Sequence, residues 1–350
     1  MEKIKVIIWG FGAMGKGMAK MLLLKKGVEI TGVCDLNPEY IGKNFLDIIS
    51  MDVDHPTVYV QSDIDFLLNQ TKADVVLLCT DSFVKGAFDK IKKIVSHKMN
   101  CISTAEEMAY PHANEPVLAK QIDHLAKAFG VTVLGTGINP GFIMDLLVVA
   151  LTGTMVDVEH IEAKRVNSLS PFGPTVMHEQ GVGISLNDYH KRIMDNELAG
   201  HVGFKESIQM ISDALGVKLD DFQQQMEPIV TNVDRKSTYG EANAGSLAGI
   251  NMTGQGLVNG SVFIDMIHPQ QIEPEMEGTQ TGDYINLKGI PNINMAITPE
   301  IDGGIGTIAM CVNMIPHVIN ARPGLKTMID LPVPRAILGD MRDLIEQDDK

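Results

Sequence analysis

The sequence predicts an α/β protein. An N-terminal Rossmann-type, doubly wound parallel sheet is followed by a second α+β domain with a mostly antiparallel sheet. Three observations carry this. The first third alternates short apolar runs with helical patterns, as strands wrapped by helices do. A GxGxxG sequence lies where the first apolar run turns into the first helical pattern. Beyond residue 150 the texture changes to period-two alternation, the mark of strands with one solvated face.

The elements follow in order. Ile4 to Trp9 is an apolar run, and Ala13 to Leu24 places Met14, Met18, Met21 and Leu22 at helical spacing. Val28 to Cys34 and Ala73 to Cys79 are further runs, the latter followed by a helical Val84 to Ser96. Cys101 to Ser103, a helix over Glu115 to Phe129 and a strand over Val131 to Leu134 complete the alternation. Val156 to Val166 then alternates as an antiparallel strand would, and Gln225 to Val233, Gly245 to Thr253, Gly256 to His268 and Gly282 to Leu287 read the same way. Helices are expected near Leu186 to Glu197 and over Phe204 to Leu215. Gly303 to Val318, rich in small and apolar residues, reads as one helix returning to the first domain. The expected division is residues 1–150, joined by 303–350, for dinucleotide binding, with 151–302 for substrate binding and dimerisation.

The chain has 350 residues, 45% of them apolar, enough for two domains with ample core. No run of about 18 apolar residues occurs, and Met1-Glu2 opens a strand-like segment, not a secretory signal. A formal net charge of −15 argues against nucleic acid, which needs clustered basic surface. The four cysteines, Cys34, Cys79, Cys101 and Cys311, show no CxxC spacing and no metal pattern. They read as buried thiols in a reducing cytoplasm. A cytoplasmic homodimer with a small-molecule substrate, no membrane and no metal is the expectation. Trp9, the single tryptophan, reads as core.

The chemistry begins at Gly10, Gly12 and Gly15, with Phe11, Ala13 and Met14 between them. In such a turn the first glycine permits the tight bend and the second lets backbone approach a pyrophosphate. The third lets helix pack close on strand, and the helix N-terminus faces the phosphates. Asp35, twenty residues past Gly15 at the end of a strand-like run, suits a ribose 2′-OH and repels a 2′-phosphate. NAD is therefore favoured over NADP, with Lys43 leaving dual use open. Cys79, Thr80 and Asp81 in "LLCTDSF", and Thr104 in "CISTAEE", stand at further strand ends where a doubly wound sheet holds its ligand. Glu106 and Glu107 follow directly. A carboxylate there can hold an ammonium, stabilise an iminium or act as general base; acids in this position also serve a helix N-terminus. "GTGINPGFIMD", Gly135 to Asp145, offers Asn139 to a nicotinamide carboxamide, or it is a turn before a helix. The lysine of "EKP" dehydrogenases, the "HHxxKxDxPSGT" run, GxSxG and HExxH are all absent.

Together, "WGFGAMG", "STAEEMAYP", "GTGINPGFIMD" and "MIPHVINARPGL" resemble the 2,4-diaminopentanoate dehydrogenase family over roughly residues 3–335. It belongs to a wider group with native amine dehydrogenases and a distant fold likeness to dihydrodipicolinate reductase. The resemblance implies NAD(P)-dependent oxidative deamination of 2,4-diaminopentanoate at C4, giving 2-amino-4-oxopentanoate and ammonia, within ornithine fermentation. It assigns the amine contact to Glu106, with Glu107 as fallback. Ile138, Asn139 and Ile143 then line the nicotinamide and substrate, with aliphatic residues where simple amine dehydrogenases carry aromatics. Arg165 and Asn167, on the strand opening the second domain, and His178 in "TVMHEQGVG", read as a loop over the substrate, are the substrate candidates there. The alternatives are an amine dehydrogenase or imine reductase acting on another small amine or ketone, and a non-catalytic NAD-binding sensor.

Overall fold

Strand β1 (Ile4–Trp9) is buried along nearly its whole length, as a central parallel strand covered on both faces must be. Helix α1 (Ala13–Leu23) then turns Gly15, Met18, Ala19 and Leu22 inward. The chain continues through β2 (Val28–Cys34), α2 (Phe45–Ile49), β3 (Val60–Gln61), α3 (Ile64–Gln70), β4 (Val75–Leu78), α4 (Val84–Ser96), β5 (Asn100–Ser103), α5 (Pro116–Phe129) and β6 (Thr132–Gly135). Asn44 and Asp63 cap α2 and α3 with their side chains, and Gly130, at φ 72°, ends α5 in the left-handed region that favours glycine. The computed structural model describes residues 2–346, and these divide into two units, 143–301 and the remainder.

The unit 143–301 holds α6 (Leu146–Thr152), β7 (Asp157–Ser168), α7 (Pro174–Glu179), α8 (Leu186–Met194), α9 (Phe204–Leu215), β8 (Asp221–Val230), β9 (Arg235–Lys236), β10 (Glu241–Ala242), β11 (Leu247–Val258), β12 (Ser261–Gln271), β13 (Gly282–Ile290) and β14 (Ile293–Ile297). Its six-stranded sheet runs β14-β13-β7-β12-β11-β8, with β7 and β12 parallel and every other neighbouring pair antiparallel. Helix α9 packs on one face: a Cβ at Gly254 would meet Phe204 at 2.7 Å, and one at Gly256 would meet Ile208 at 2.8 Å. The chain then returns to the first unit with α10 (Gly303–Asn313), α11 (Ile315–Asn320) and β15 (Gly324–Lys326). The first unit's sheet runs β15-β6-β5-β4-β1-β2-β3, parallel throughout. Successive strands step outward from β1 in opposite directions, so the crevice expected of a doubly wound sheet lies beyond β1 and β4. Helix α10 packs on α1, where a Cβ at Gly17 would run into Ile308.

Four expectations are corrected. The run Gly256 to His268 is two strands of a hairpin, because Asn259 and Gly260 take positive φ and turn the chain between β11 and β12. The helix over Gly303 to Val318 breaks after Asn313: Pro316 has no N–H to continue the ladder. Strand β7 is antiparallel only to β13. "TVMHEQGVG" is not wholly a loop, since Pro174 starts the short helix α7.

Candidate active site

The glycine turn follows β1, and each glycine has its own reason. Gly10 sits at φ 96°, and a Cβ there would meet Cys79 O at 2.7 Å and the Thr80 methyl at 2.8 Å. A Cβ on Gly15 would run into Gly10 O, so α1 lies against the turn only with glycine at this position. At Gly12 a Cβ meets nothing within 4 Å. Gly12 is also the N-cap of α1 and brings no side chain to its N–H groups. The first turn of α1, with Ala13 and Met14, therefore keeps donors and space for an anion, which fits a dinucleotide pyrophosphate.

Asp35, just past β2, accepts from Phe11 N–H through one oxygen and from Asn37 N–H at 2.7 Å through the other. It ties the glycine turn to the loop after β2, where Lys16 donates to the Tyr40 hydroxyl at 3.2 Å. After β4, Cys79 Sγ lies 3.6 Å from Met18 Sδ. Asp81 pairs with Lys90 at 2.7 Å and accepts from the Thr80 hydroxyl. Both of these side chains thus face the start of α4 within the same loop. Thr104 N–H extends the sheet by donating to Leu78 O at 3.0 Å. Burial pushes the Cys34 and Cys79 thiols up to about 12 and raises Cys101 and Cys311 as well, so the four thiols stay protonated.

The two adjacent acids after β5 have different fates. Glu107 Oε2 accepts the Val84 N–H at 2.8 Å, the first amide of α4. The carboxylate of Glu107, the fallback of the pair, thus caps a helix. Glu106 opens a 3₁₀ turn, Glu106–Ala109, and is half-buried at the strand end. The turn presses on β6, where a Cβ at Gly135 would run into Met108 O. The next loop is held from α10: Thr307 Oγ1 accepts Ile138 N–H at 3.2 Å, and Gly306 leaves room for the buried Ile138 side chain. Asn139 follows, half-buried. Ile143, 1% exposed, belongs to the other unit.

That unit carries a buried polar cluster on the helix-covered side of its sheet. Arg165 is 2% exposed, and its guanidinium donates to Asp283 at 2.5 Å and to Ile301 O at 2.5 Å. Arg165, a substrate candidate from the sequence, thus spends one donor on a carboxylate and one on a backbone carbonyl within its own unit. Asn167 Oδ1 lies 2.9 Å from His268 Nε2, and the His268 and His201 rings stack edge-on at 4.8 Å between centroids. Burial, then the Arg165 charge, holds His201 down at about 3; burial, His201 and Arg165 hold His268 well below its ordinary value. Both imidazoles are neutral at pH 7. His201 Nε2 and Gln270 Nε2 are buried without a hydrogen-bond partner among the described residues, and Gln270 is in register with Asn167. His178 stands apart, exposed on α7 and 3.4 Å from Arg192. His201, His268 and Gln270 were not expected as site residues. His268 and Gln270 alternate with outward residues along β12, but a period-two pattern does not say that a buried histidine has polar neighbours. No group of three or more metal-ligating side chains occurs among the described residues.

A sequence model of the 2,4-diaminopentanoate dehydrogenase C-terminal domain matches residues 142–347. The chain is 61% identical, over 100% of its own length and 99% of the other, to a 2,4-diaminopentanoate dehydrogenase of Acetoanaerobium sticklandii. It is 24% identical to an amine dehydrogenase of Streptomyces virginiae, covering 95% and 98% of the two chains. The solved amine dehydrogenase of Mycobacterium smegmatis shares the fold at a TM-score of 0.85 and 24% identity, over 96% and 98% of the chains. The chain belongs to the 2,4-diaminopentanoate dehydrogenase family.

Proposed function

We propose that the protein oxidises 2,4-diaminopentanoate at C4, giving 2-amino-4-oxopentanoate, ammonia and NAD(P)H. The identity along the whole chain supports the substrate, and the open glycine turn supports the cofactor. When bound there, the nicotinamide accepts the hydride. The roles of the chain's own residues follow from charge. The C4 ammonium must lose a proton before its carbon can give up hydride, and we assign that step to Glu106, half-buried just past the end of β5. Once Glu106 has passed that proton on to solvent, its carboxylate favours the iminium cation over the neutral amine, which is the differential stabilisation catalysis requires. It then stands beside the water that adds to the iminium. Ile138 and Asn139 are our candidates for the wall beside the reacting carbon.

The polar cluster of Asn167, His201, His268 and Gln270 is our candidate for the amino-acid end of the substrate. NAD should serve at least as well as NADP, because an acid at the end of β2 repels a 2′-phosphate. We further assign the chain to ornithine breakdown in the cytoplasm, as a homodimer joined through the uncovered face of the second sheet. Light scattering of a monomer would remove that last assignment. The test of the function is cofactor reduction with 2,4-diaminopentanoate against ornithine, lysine and simple amines. Turnover should be greatest with 2,4-diaminopentanoate; a preferred simple amine would move the chain to a different substrate.

A further inference from the structure

A second polar cavity, of about 330 Å³, lies in the first unit around β15. His317, Arg322, Lys326 and Arg335 line it, with Asp330 and Glu346. The three cations make no ion pair among the described residues. Asp330 is already engaged: one of its oxygens accepts both the N–H and the hydroxyl of Thr327 at 2.8 Å. Glu346 is exposed and adds one negative charge. Three cations that line one cavity with no ion pair among the described residues are unexpected in a chain whose net charge is −15.

His317 supplies the independent observation. It is 5% exposed, and its Nε2 has no hydrogen-bond partner among the described residues. A buried ring nitrogen left without a partner is costly, and calls for a water or ligand. Burial first, and the Arg335 charge second, lower the affinity of this imidazole for a proton. A bound anion would offset the Arg335 charge and leave His317 a partner.

We propose that this cavity binds the phosphate group of a small metabolite, at a site separate from the glycine turn. Two guanidinium forks and an ammonium supply donors in number and geometry for a tetrahedral oxyanion, and with Asp330 and Glu346 the lining keeps one positive charge in excess. The cavity is larger than one inorganic phosphate, which leaves room for the organic part of a monoester.

The test is calorimetric titration of inorganic phosphate into protein saturated with NADH, so that the glycine turn is filled, with chloride holding ionic strength constant. Wild type should show one saturable site. Arg322 and Arg335 are exposed, so the double variant Arg322→Gln/Arg335→Gln should keep its melting temperature and bind phosphate at least about tenfold more weakly. Lys20→Gln/Lys288→Gln, which removes two exposed cations elsewhere, should bind as wild type does. The His317 ring nitrogen resonance should shift on titration in wild type only. Absence of a saturable site, or equal binding by the Arg322/Arg335 double variant, overturns the proposal. Malonate binding as tightly as phosphate overturns the phosphate assignment.

Discussion

At the residue scale, the glycine turn was legible because each of its constraints is local. Gly10, Gly12 and Gly15 each sit where the spacing put them, with Gly10 and Gly15 crowded and Gly12 open. Gly12→Val should leave the melting temperature near wild type, since a Cβ there meets no protein atom within 4 Å, yet abolish NADH binding. Calorimetry showing wild-type affinity would remove the pyrophosphate assignment. The Glu106–Glu107 pair was not resolvable from sequence, because what separates them is the Val84 amide, 23 residues away. The histidines were illegible for the same reason. Their depressed affinity for protons has a consequence for stability. The unfolded chain binds those protons below about pH 6.5, whereas the folded chain resists down to about 3 at His201. The unfolded state therefore gains protons first, and stability falls as pH drops through that window, by about 1.4 kcal/mol per pH unit for each histidine. His201→Gln should flatten the acid side of a urea-denaturation series between pH 6 and 4. An unchanged slope would show that His201 charges freely in the folded state.

At the element scale, β1, β2, β4, β5 and β6 were read to within a residue or two, since apolar runs between helices have little else to be, whereas β3 and β15 of the same sheet were not read. The second sheet was read less well. Alternation located β7, β11, β12 and β13 but did not reveal that β7 and β12 run parallel, because partner choice is set by the path of the intervening chain. Short elements such as α2, β3 and β14 carry too few residues for a period to show. The ion pair between Arg165 on β7 and Asp283 on β13, 3% and 1% exposed, joins neighbouring strands and reaches Ile301 through a second donor. Asp283→Asn leaves a buried guanidinium without its counter-charge, which should cost about 3–5 kcal/mol. Chemical denaturation measures it directly, and a loss below about 1 kcal/mol, the level of exposed pairs, would show that the pair is solvated. Glu107→Gln weakens only a helix cap and should cost about 1 kcal/mol.

At the scale of the whole molecule, the chain combines a parallel-sheet unit, completed by its own C-terminal segment, with a mixed-sheet unit built from 143–301. The sequence showed the change of texture between them, and the family resemblance carried what spacing alone left open: which amine is oxidised. The central claim is that Glu106 is the group that deprotonates the amine and stabilises the iminium, while Glu107 is structural. The most direct measurement compares kcat for 2,4-diaminopentanoate oxidation, and NADH affinity, in Glu106→Gln and Glu107→Gln. Glu106→Gln keeps the shape and removes the charge, so kcat should fall by roughly 10²–10⁴-fold, the scale of a lost general base, with NADH binding unchanged. Glu107→Gln should turn over within a few-fold of wild type. Wild-type kcat in Glu106→Gln, or the large loss appearing in Glu107→Gln instead, would contradict the assignment.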